Sequence, residues 1–493
     1  MDQADLPYIG AAEALAAFRA RDLSPVELLD AVLARAGDVE PEVNAIATIR
    51  REAAYAAARE AEARYLGRGG GEPRALEGLP VALKEEQPIA GEPLCEGSLL
   101  LDGYIADVTH PVVERVIAAG GVAHVRTTTP EFSAAAFTHS AVWGITRNPW
   151  NLDCTPGGSS GGAAAALASG TTTLATGSDI GGSIRIPASF CGVLGYKPPY
   201  GRVPALPPFN LDTYCHDGPL ARSVADLALL QNVIAGQHPL DPVSLPSAPA
   251  LSPAGAVGRI AGRRIAWART IGDTPVEPEI AAATAGMAAA LAGMGAVVEE
   301  VEIPVSMDLL TRAAFAHYGA IFGASVGEVA GSREDLLTPY VREFRDRAGA
   351  AFAATGVYGG ITLESEINAT VQTVLAPYDA FICPTVATLG LAAGDDFTET
   401  RVVVDGVELE LYLLAALTPL FNVLSRRPVI SVPSGIGSNG VPMGVQLVGR
   451  PYDEATVFDV AGALEAAVAW WSPAWRPGSL PAVAQVRQPG GRP

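Results

Sequence analysis

Apolar residues near the amino terminus recur at the three- and four-residue spacing of helices that bury one face. Ala11–Ala20 is such a run of Ala, Leu and Phe. Ser24-Pro25-Val26-Glu27 puts serine at a helix N-cap, proline at the first helical position and glutamate at the third, a capping box opening a helix to about Arg35. A third helix is expected over 49–65, ahead of the glycine-rich linker 67–71. From Leu79 the pattern changes to short apolar runs between helices. Strands are expected over 81–83, ending at Lys84, and over 122–125 and 172–175, with helices over 111–119, 160–167 and 224–234. The Pro/Ser/Ala-rich stretch 241–256 reads as a surface crossing. Beyond it, strands over 264–268 and 296–301 flank a helix over 278–291. Strands over 380–383, 429–432 and 443–448 and a helix over 454–470 close the pattern, and the alternation predicts an α/β fold.

One segment breaks this rhythm. Residues 307–378 read as helical and carry Phe315, Tyr318, Phe322, Tyr340, Phe344, Phe352 and Tyr358. They suit either a cover over a ligand site or ordinary outer helices whose rings pack on the core. The Pro/Gly-rich stretch 472–493 is expected to be an extended tail.

Composition narrows the chemistry. With 49% hydrophobic and 17% charged residues the 493-residue chain has material for a large core. A formal charge of −20 repels phosphate backbones and anionic membranes, so no direct nucleic-acid ligand and no membrane partner are expected. The acidic start Met1-Asp2-Gln3-Ala4-Asp5 lacks the features of a secretory signal, and a soluble cytoplasmic protein is expected. Cys95, Cys154, Cys191, Cys215 and Cys383 are scattered, and the six histidines form no close metal spacing. Neither a metal nor a cofactor is expected. Among 33 basic residues only Lys84 and Lys197 are lysine, so each invites the question whether its amine does what guanidinium cannot, namely titrate near neutrality.

Two glycine-dense blocks carry the candidate chemistry: 155–162, Thr-Pro-Gly-Gly-Ser-Ser-Gly-Gly, and 177–185, Gly-Ser-Asp-Ile-Gly-Gly-Ser-Ile-Arg. Glycines beside serines permit unusual backbone angles and leave N–H groups free to converge on an anion. Neither block fits a dinucleotide or phosphate loop. Gly157-Gly158-Ser159-Ser160-Gly161 satisfies G-x-S-x-G, but the lead-in from Trp150 to Pro156 is not the buried strand of a nucleophile elbow. A Ser-x-x-Lys pair is absent, since Val81 and Leu194 stand three before the lysines.

These blocks, with 78–84 (Gly-Leu-Pro-Val-Ala-Leu-Lys), 218–226 and 442–450, closely resemble the amidase signature family, most densely over 79–226 and least over 307–378. The resemblance implies one amidase domain over 1–471, built on a single large mixed, twisted β-sheet with helices on both faces. It implies a serine hydrolase that cleaves amide C–N bonds by a relay of Lys84, Ser159, preceded by a cis peptide bond, and the nucleophile Ser183, 24 positions beyond Ser159. The implied oxyanion hole falls on the backbone N–H groups of Ile180, Gly181, Gly182 and Ser183. Ser160 and Ser178 match helper positions, and Lys197 matches a structural cation. Asp179 and Arg185 flank the nucleophile, either to reach substrate or to brace the turn as a buried pair.

For Lys84 to act as a base its pKa must fall well below 10.4. A drop of about three units corresponds to roughly 4 kcal/mol, feasible in a dry cleft. The expected substrates are small acylamides, including anilides, amino-acid amides and carbamates, handled by a monomer or homodimer. The alternative is the glutaminase subunit of a tRNA-dependent amidotransferase. Two departures from the family pattern stand out: Glu85 where Asp commonly follows the lysine, and Val125-Arg126-Thr127-Thr128 ahead of Pro130-Glu131-Phe132.

Overall fold

Every residue of the strand Pro80–Lys84 is buried, which requires neighbours on both edges and cover on both faces. It runs parallel between Val122–Thr127 and Leu174–Ser178. Around this trio the computed structural model, which describes residues 5–252, 255–468 and 475–478, builds an eleven-stranded sheet. From edge to edge the order is Ile46–Ile49, Val122–Thr127, Pro80–Lys84, Leu174–Ser178, Asp217–Ala221, Leu194–Lys197, Val429–Ile436, Pro442–Gly449, Ala380–Pro384, Arg264–Trp267 and Val297–Glu300. Parallel pairs lie toward the two ends and an antiparallel run occupies the middle, so the sheet is mixed.

Period-two alternation along Pro80–Lys84 sends side chains to opposite faces. Val81 and Leu83 join a core with residues of the helices Ala11–Ala20, Pro25–Val43, Val224–Ile234, Pro278–Gly293 and Glu454–Val468. Ala82, between them, packs into a separate core with Ala163, Ala164 and Leu167 of the fully buried helix Gly161–Ser169. Helices therefore cover both faces, as expected.

The capping box is present: Ser24 Oγ accepts from Glu27 N at 3.1 Å and Glu27 accepts from Ser24 N at 2.8 Å. The helix it opens runs to Val43, beyond the expected end at Arg35, because Gly37 and the exposed Pro41 lie in a helix held by its buried face. Residues 46–49, in part assigned to helix from sequence, form an edge strand, and the helix begins at Arg51. The strand expected over 172–175 is displaced to Leu174–Ser178. The expected tail lies outside the described residues except at 475–478.

Segment 307–378 forms the helices Met307–Tyr318, Ala324–Ala330 and Pro339–Leu375, the last broken at Gly356, whose φ is 66°. Buried polar contacts tie it to the rest of the chain. Thr338 N and Oγ1 donate to Glu131 at 2.8 and 2.6 Å, and Tyr340 Oη accepts from Glu131 N at 2.7 Å. His317 stacks on Tyr214 with ring centroids 3.6 Å apart and bonds Asp212 at 2.6 Å and Glu364 at 3.2 Å. Burial alone lowers the imidazole pKa, but the two carboxylates outweigh it and raise the pKa to about 9 from 6.5.

This tie has a definite pH signature. A folded-state pKa above the unfolded one stabilises fully below about pH 6.5 and is lost as pH rises through about 9. Thermal melts of the parent and of His317→Gln should therefore differ most near pH 6 and converge toward pH 10. A gap that stays constant over that range rules out the charged imidazole as the tie.

Candidate active site

In open α/β sheets, side chains gather outside the carboxyl ends of parallel strands, where loops leave the sheet together. Pro80–Lys84 and Leu174–Ser178 end side by side in this way, which puts Lys84 beside Ser178. The Lys84 side chain is fully buried, with Nζ 2.7 Å from Ser159 Oγ and 2.8 Å from Ser178 Oγ. Burial lowers its pKa, opposed chiefly by Glu86.

Ser159 stands just before the helix Gly161–Ser169 and is joined to Gly158 by a cis peptide bond. A Cβ on Gly158 would lie 2.2 Å from the carbonyl oxygen of Phe137, so only glycine fits against that segment. Ser160 Oγ contacts both N and O of Ser178 at 3.3 Å, and Ser160 N donates to Ser183 O at 3.0 Å. The expected helpers thus divide: Ser178 touches the amine, whereas Ser160 braces the segments that carry Ser178 and Ser183.

Ser183 lies on the turn before the helix Arg185–Cys191 and is 7% exposed, enough to face the cleft. Its Oγ has no hydrogen bond to Ser159 among the described residues. The turn is held by Asp179, which accepts from Gly182 N at 2.9 Å and Ile184 N at 3.3 Å. The Gly182 N–H is therefore already committed. Among the described residues the backbone N–H groups of Ile180, Gly181 and Ser183 have no internal hydrogen-bond partner, whereas that of Gly182 has one.

Asp179 and Arg185 form a fully buried two-point pair at 2.8 and 2.9 Å, the bracing alternative of the sequence reading. Arg185 also donates to Thr418 O, Gln446 Oε1 and Asn422 Oδ1. Burial pushes the Asp179 carboxyl up, but Arg185 more than offsets this and holds it well below the usual range. Lys197 is buried away from the relay, donating to Arg427 O at 3.0 Å.

The two sequence departures brace the loop after Lys84. Glu85 turns away from the amine and accepts from Cys95 N and Glu96 N at 2.9 Å each. Arg126 bonds the carbonyls of Glu85 and Gln87. Sequence reasoning missed Glu86, whose Oε2 lies 3.1 Å from Lys84 Nζ. Glu86 lies in the turn after the strand that ends at Lys84, beyond the reach of strand periodicity, so local sequence carried no signal for it.

A cleft opens at Ser183. Four of the seven expected cover aromatics, Phe315, Tyr318, Phe322 and Phe344, line it with Leu310 and Leu413, and no charged side chain does. Tyr340 instead stacks edge-on against Phe137, and Tyr358 is 85% exposed. Among the described residues no group of three or more His, Cys, Asp or Glu is placed to hold a metal, and no helix is long and apolar enough to cross a membrane.

A lysine amine joined to serine hydroxyls beside a turn with free N–H groups defines a serine hydrolase that works by acyl transfer. The Amidase family model matches residues 27–458, and the chain belongs to the amidase signature family, hydrolases of amide C–N bonds. A glutamyl-tRNA(Gln) amidotransferase subunit from Chloroflexus aggregans is 34% identical over 94% of this chain and 98% of that relative. The structure of a bacterial aryl acylamidase aligns with TM-score 0.85 at 27% identity, covering 94% of this chain and 97% of the other. That of 6-aminohexanoate cyclic dimer hydrolase with substrate aligns with TM-score 0.82 at 32% identity, covering 97% and 100%.

The same amidotransferase name recurs among curated relatives at 31–34% identity, which weighs toward the alternative, the glutaminase subunit, over the generic acylamide amidase. It also overturns the expectation of a small-molecule substrate alone, no nucleic-acid association and a monomer or homodimer. The −20 charge bears only on nucleic acid lying against this chain's own surface, and a subunit can leave the tRNA to other chains.

Gly182 offers a test of the turn. Its φ of 130° and a Cβ position 2.0 Å from Thr418 Oγ1 forbid a side chain. Gly182→Ala should lower single-turnover acylation by about 10²–10³-fold, the scale of a lost oxyanion donor, in protein that still folds. Unchanged acylation would remove this turn from the chemistry.

Proposed function

We propose that this amidase hydrolyses amides whose acyl group is apolar, with Ser183 as nucleophile, Ser159 as proton carrier and Lys84 as base. The observation that carries the reading is the uncharged, aromatic-lined cleft at Ser183. Attack by Ser183 on the carbonyl places negative charge toward the N–H groups of Ile180, Gly181 and Ser183, where each donor is worth about 3–4 kcal/mol. Ser159 takes the nucleophile's proton while passing its own to Lys84, then protonates the leaving nitrogen. Water cleaves the Ser183 ester by the same route.

The second reading, a glutaminase subunit serving a tRNA-dependent amidotransferase, is supported by the curated relatives, whose similarity spans nearly the whole chain. Free glutamine would bring an ammonium and a carboxylate, which the apolar wall at Ser183 does not partner, although a polar pocket lined by Glu86, His110 and Asp217 adjoins it across Ser133, Ile180 and Phe322. The apolar wall supports the first reading for the acyl group that lies against it.

A series of primary amides and anilides of growing acyl length, run beside glutamine with product detection, separates the two. On the apolar reading kcat/KM rises about 3–4-fold per methylene, following about 0.8 kcal/mol of burial each, until the cleft fills. Glutamine turned over faster than every apolar amide would establish the glutaminase reading instead.

A further inference from the structure

Glu86 lies against the relay but has no part in the chemistry described so far. Besides Lys84 Nζ at 3.1 Å, its carboxylate accepts from the Ser133 hydroxyl. Lys84 Nζ thus has three polar neighbours: Ser159 Oγ, Ser178 Oγ and Glu86 Oε2. A neutral amine has two N–H groups and one lone pair. An ionised carboxylate only accepts, so one N–H must point at Glu86. Ser178 Oγ, 2.8 Å from Nζ and placed to accept from it, takes the second N–H. The lone pair is left facing Ser159, whose proton it must take.

We infer that Glu86 is a positioning residue which fixes the proton arrangement of Lys84, so that its lone pair faces Ser159, and supplies the counter-charge when the amine becomes an ammonium. The inference rests on the proposed base role of Lys84. In acylation the Ser183 Oγ–C bond forms, the Ser183 proton moves to Ser159, the Ser159 proton moves to Lys84, and Glu86 remains an anion. When the C–N bond breaks, Ser159 protonates the leaving nitrogen and Lys84 returns its proton to Ser159. Ionised Glu86 agrees with its direction of shift: burial raises its pKa, but Lys84 and Ser133 bring it below the ordinary value.

Other titratable groups also face this site: Glu96 on the following loop, Asp217 with His110 at 3.5 Å, Asp179, and Cys215. Of these, Glu96, Asp217 and Cys215 hold protons more tightly, first through burial and then in part through Glu86, so a pH limb belongs to Lys84 only if a lysine signal tracks it.

The scarcity of lysine makes this measurable. A protein labelled with ¹³Cε-lysine has two lysine signals, from Lys84 and Lys197, and the Lys84 midpoint can be set beside the pH limb of single-turnover acylation. Glu86→Gln keeps a carbonyl acceptor and removes the charge. Removing an anion destabilises the ammonium, so the Lys84 midpoint and the acylation limb should both move to lower pH. The plateau should fall by about 10-fold or more, part of the 10²–10⁴-fold that acid–base catalysis supplies. Glu86→Asp keeps the charge and should restore part of both, whereas Glu86→Ala, which also removes the charge, carries the test if Glu86→Gln does not fold. A midpoint and limb left in place by Glu86→Gln, or by Glu86→Ala in that event, overturn the Glu86 inference alone, even if the plateau drops. A parent limb that the Lys84 signal does not track removes Lys84 as base, and the Glu86 inference with it.

Discussion

A lysine amine taken fully out of water loses the hydration that makes it a cation, an effective penalty of several kcal/mol even after relaxation. On the proposed mechanism that loss becomes basicity at Lys84, and the surrounding architecture creates and contains it. The strand Pro80–Lys84 buries the residue by lying between two parallel strands, and its end beside Leu174–Ser178 supplies Ser178 as a neighbour. The buried helix Gly161–Ser169 brings Ser159 from the other side. Glu86 offsets part of the penalty, so the amine sits between two opposed influences.

The buried Asp179–Arg185 pair makes a second constraint. Desolvation cancels much of the attraction in such pairs, so its contribution is position more than stability; losing one partner leaves an uncompensated charge at about 3–5 kcal/mol. Asp179 grips the turn at Gly182 and Ile184, while Arg185 reaches Thr418, Asn422 and Gln446 on distant segments. The nucleophile turn is thereby referenced to the strand Pro442–Gly449, and Thr418 closes on Gly181 O at 2.6 Å. The cover joins through Tyr318, whose hydroxyl meets Ile180 O at 3.3 Å. Cleft wall and oxyanion turn are thus set in one frame.

Much of this was legible because it is written in contiguous residues. The glycine-serine blocks, the capping box at Ser24 and the long periodic helices each declare themselves locally. What escaped depends on neighbours distant in sequence. The strands Leu194–Lys197 and Asp217–Ala221 carry Gly195, Gly218 and Pro219, residues that argue against strand until a covering core is known. The commitment of Gly182 N–H to Asp179 is set by the turn's path, which composition does not reveal. Which cover aromatics face the cleft depends on how the helices dock, so Phe344 lines it while Tyr358 faces solvent.

The central claim is that Lys84 acts as a neutral base, and Lys84→Arg tests it most directly because arginine keeps the charge and cannot give up its proton. In correctly folded protein, single-turnover acylation of Ser183 should fall by about 10²–10⁴-fold, and the rise with pH seen in the parent should vanish from what remains. Lys84→Ala assayed with added small primary amines separates lost basicity from misplacement, with partial recovery expected. Full acylation by Lys84→Arg, with the parent's pH profile, would contradict the account.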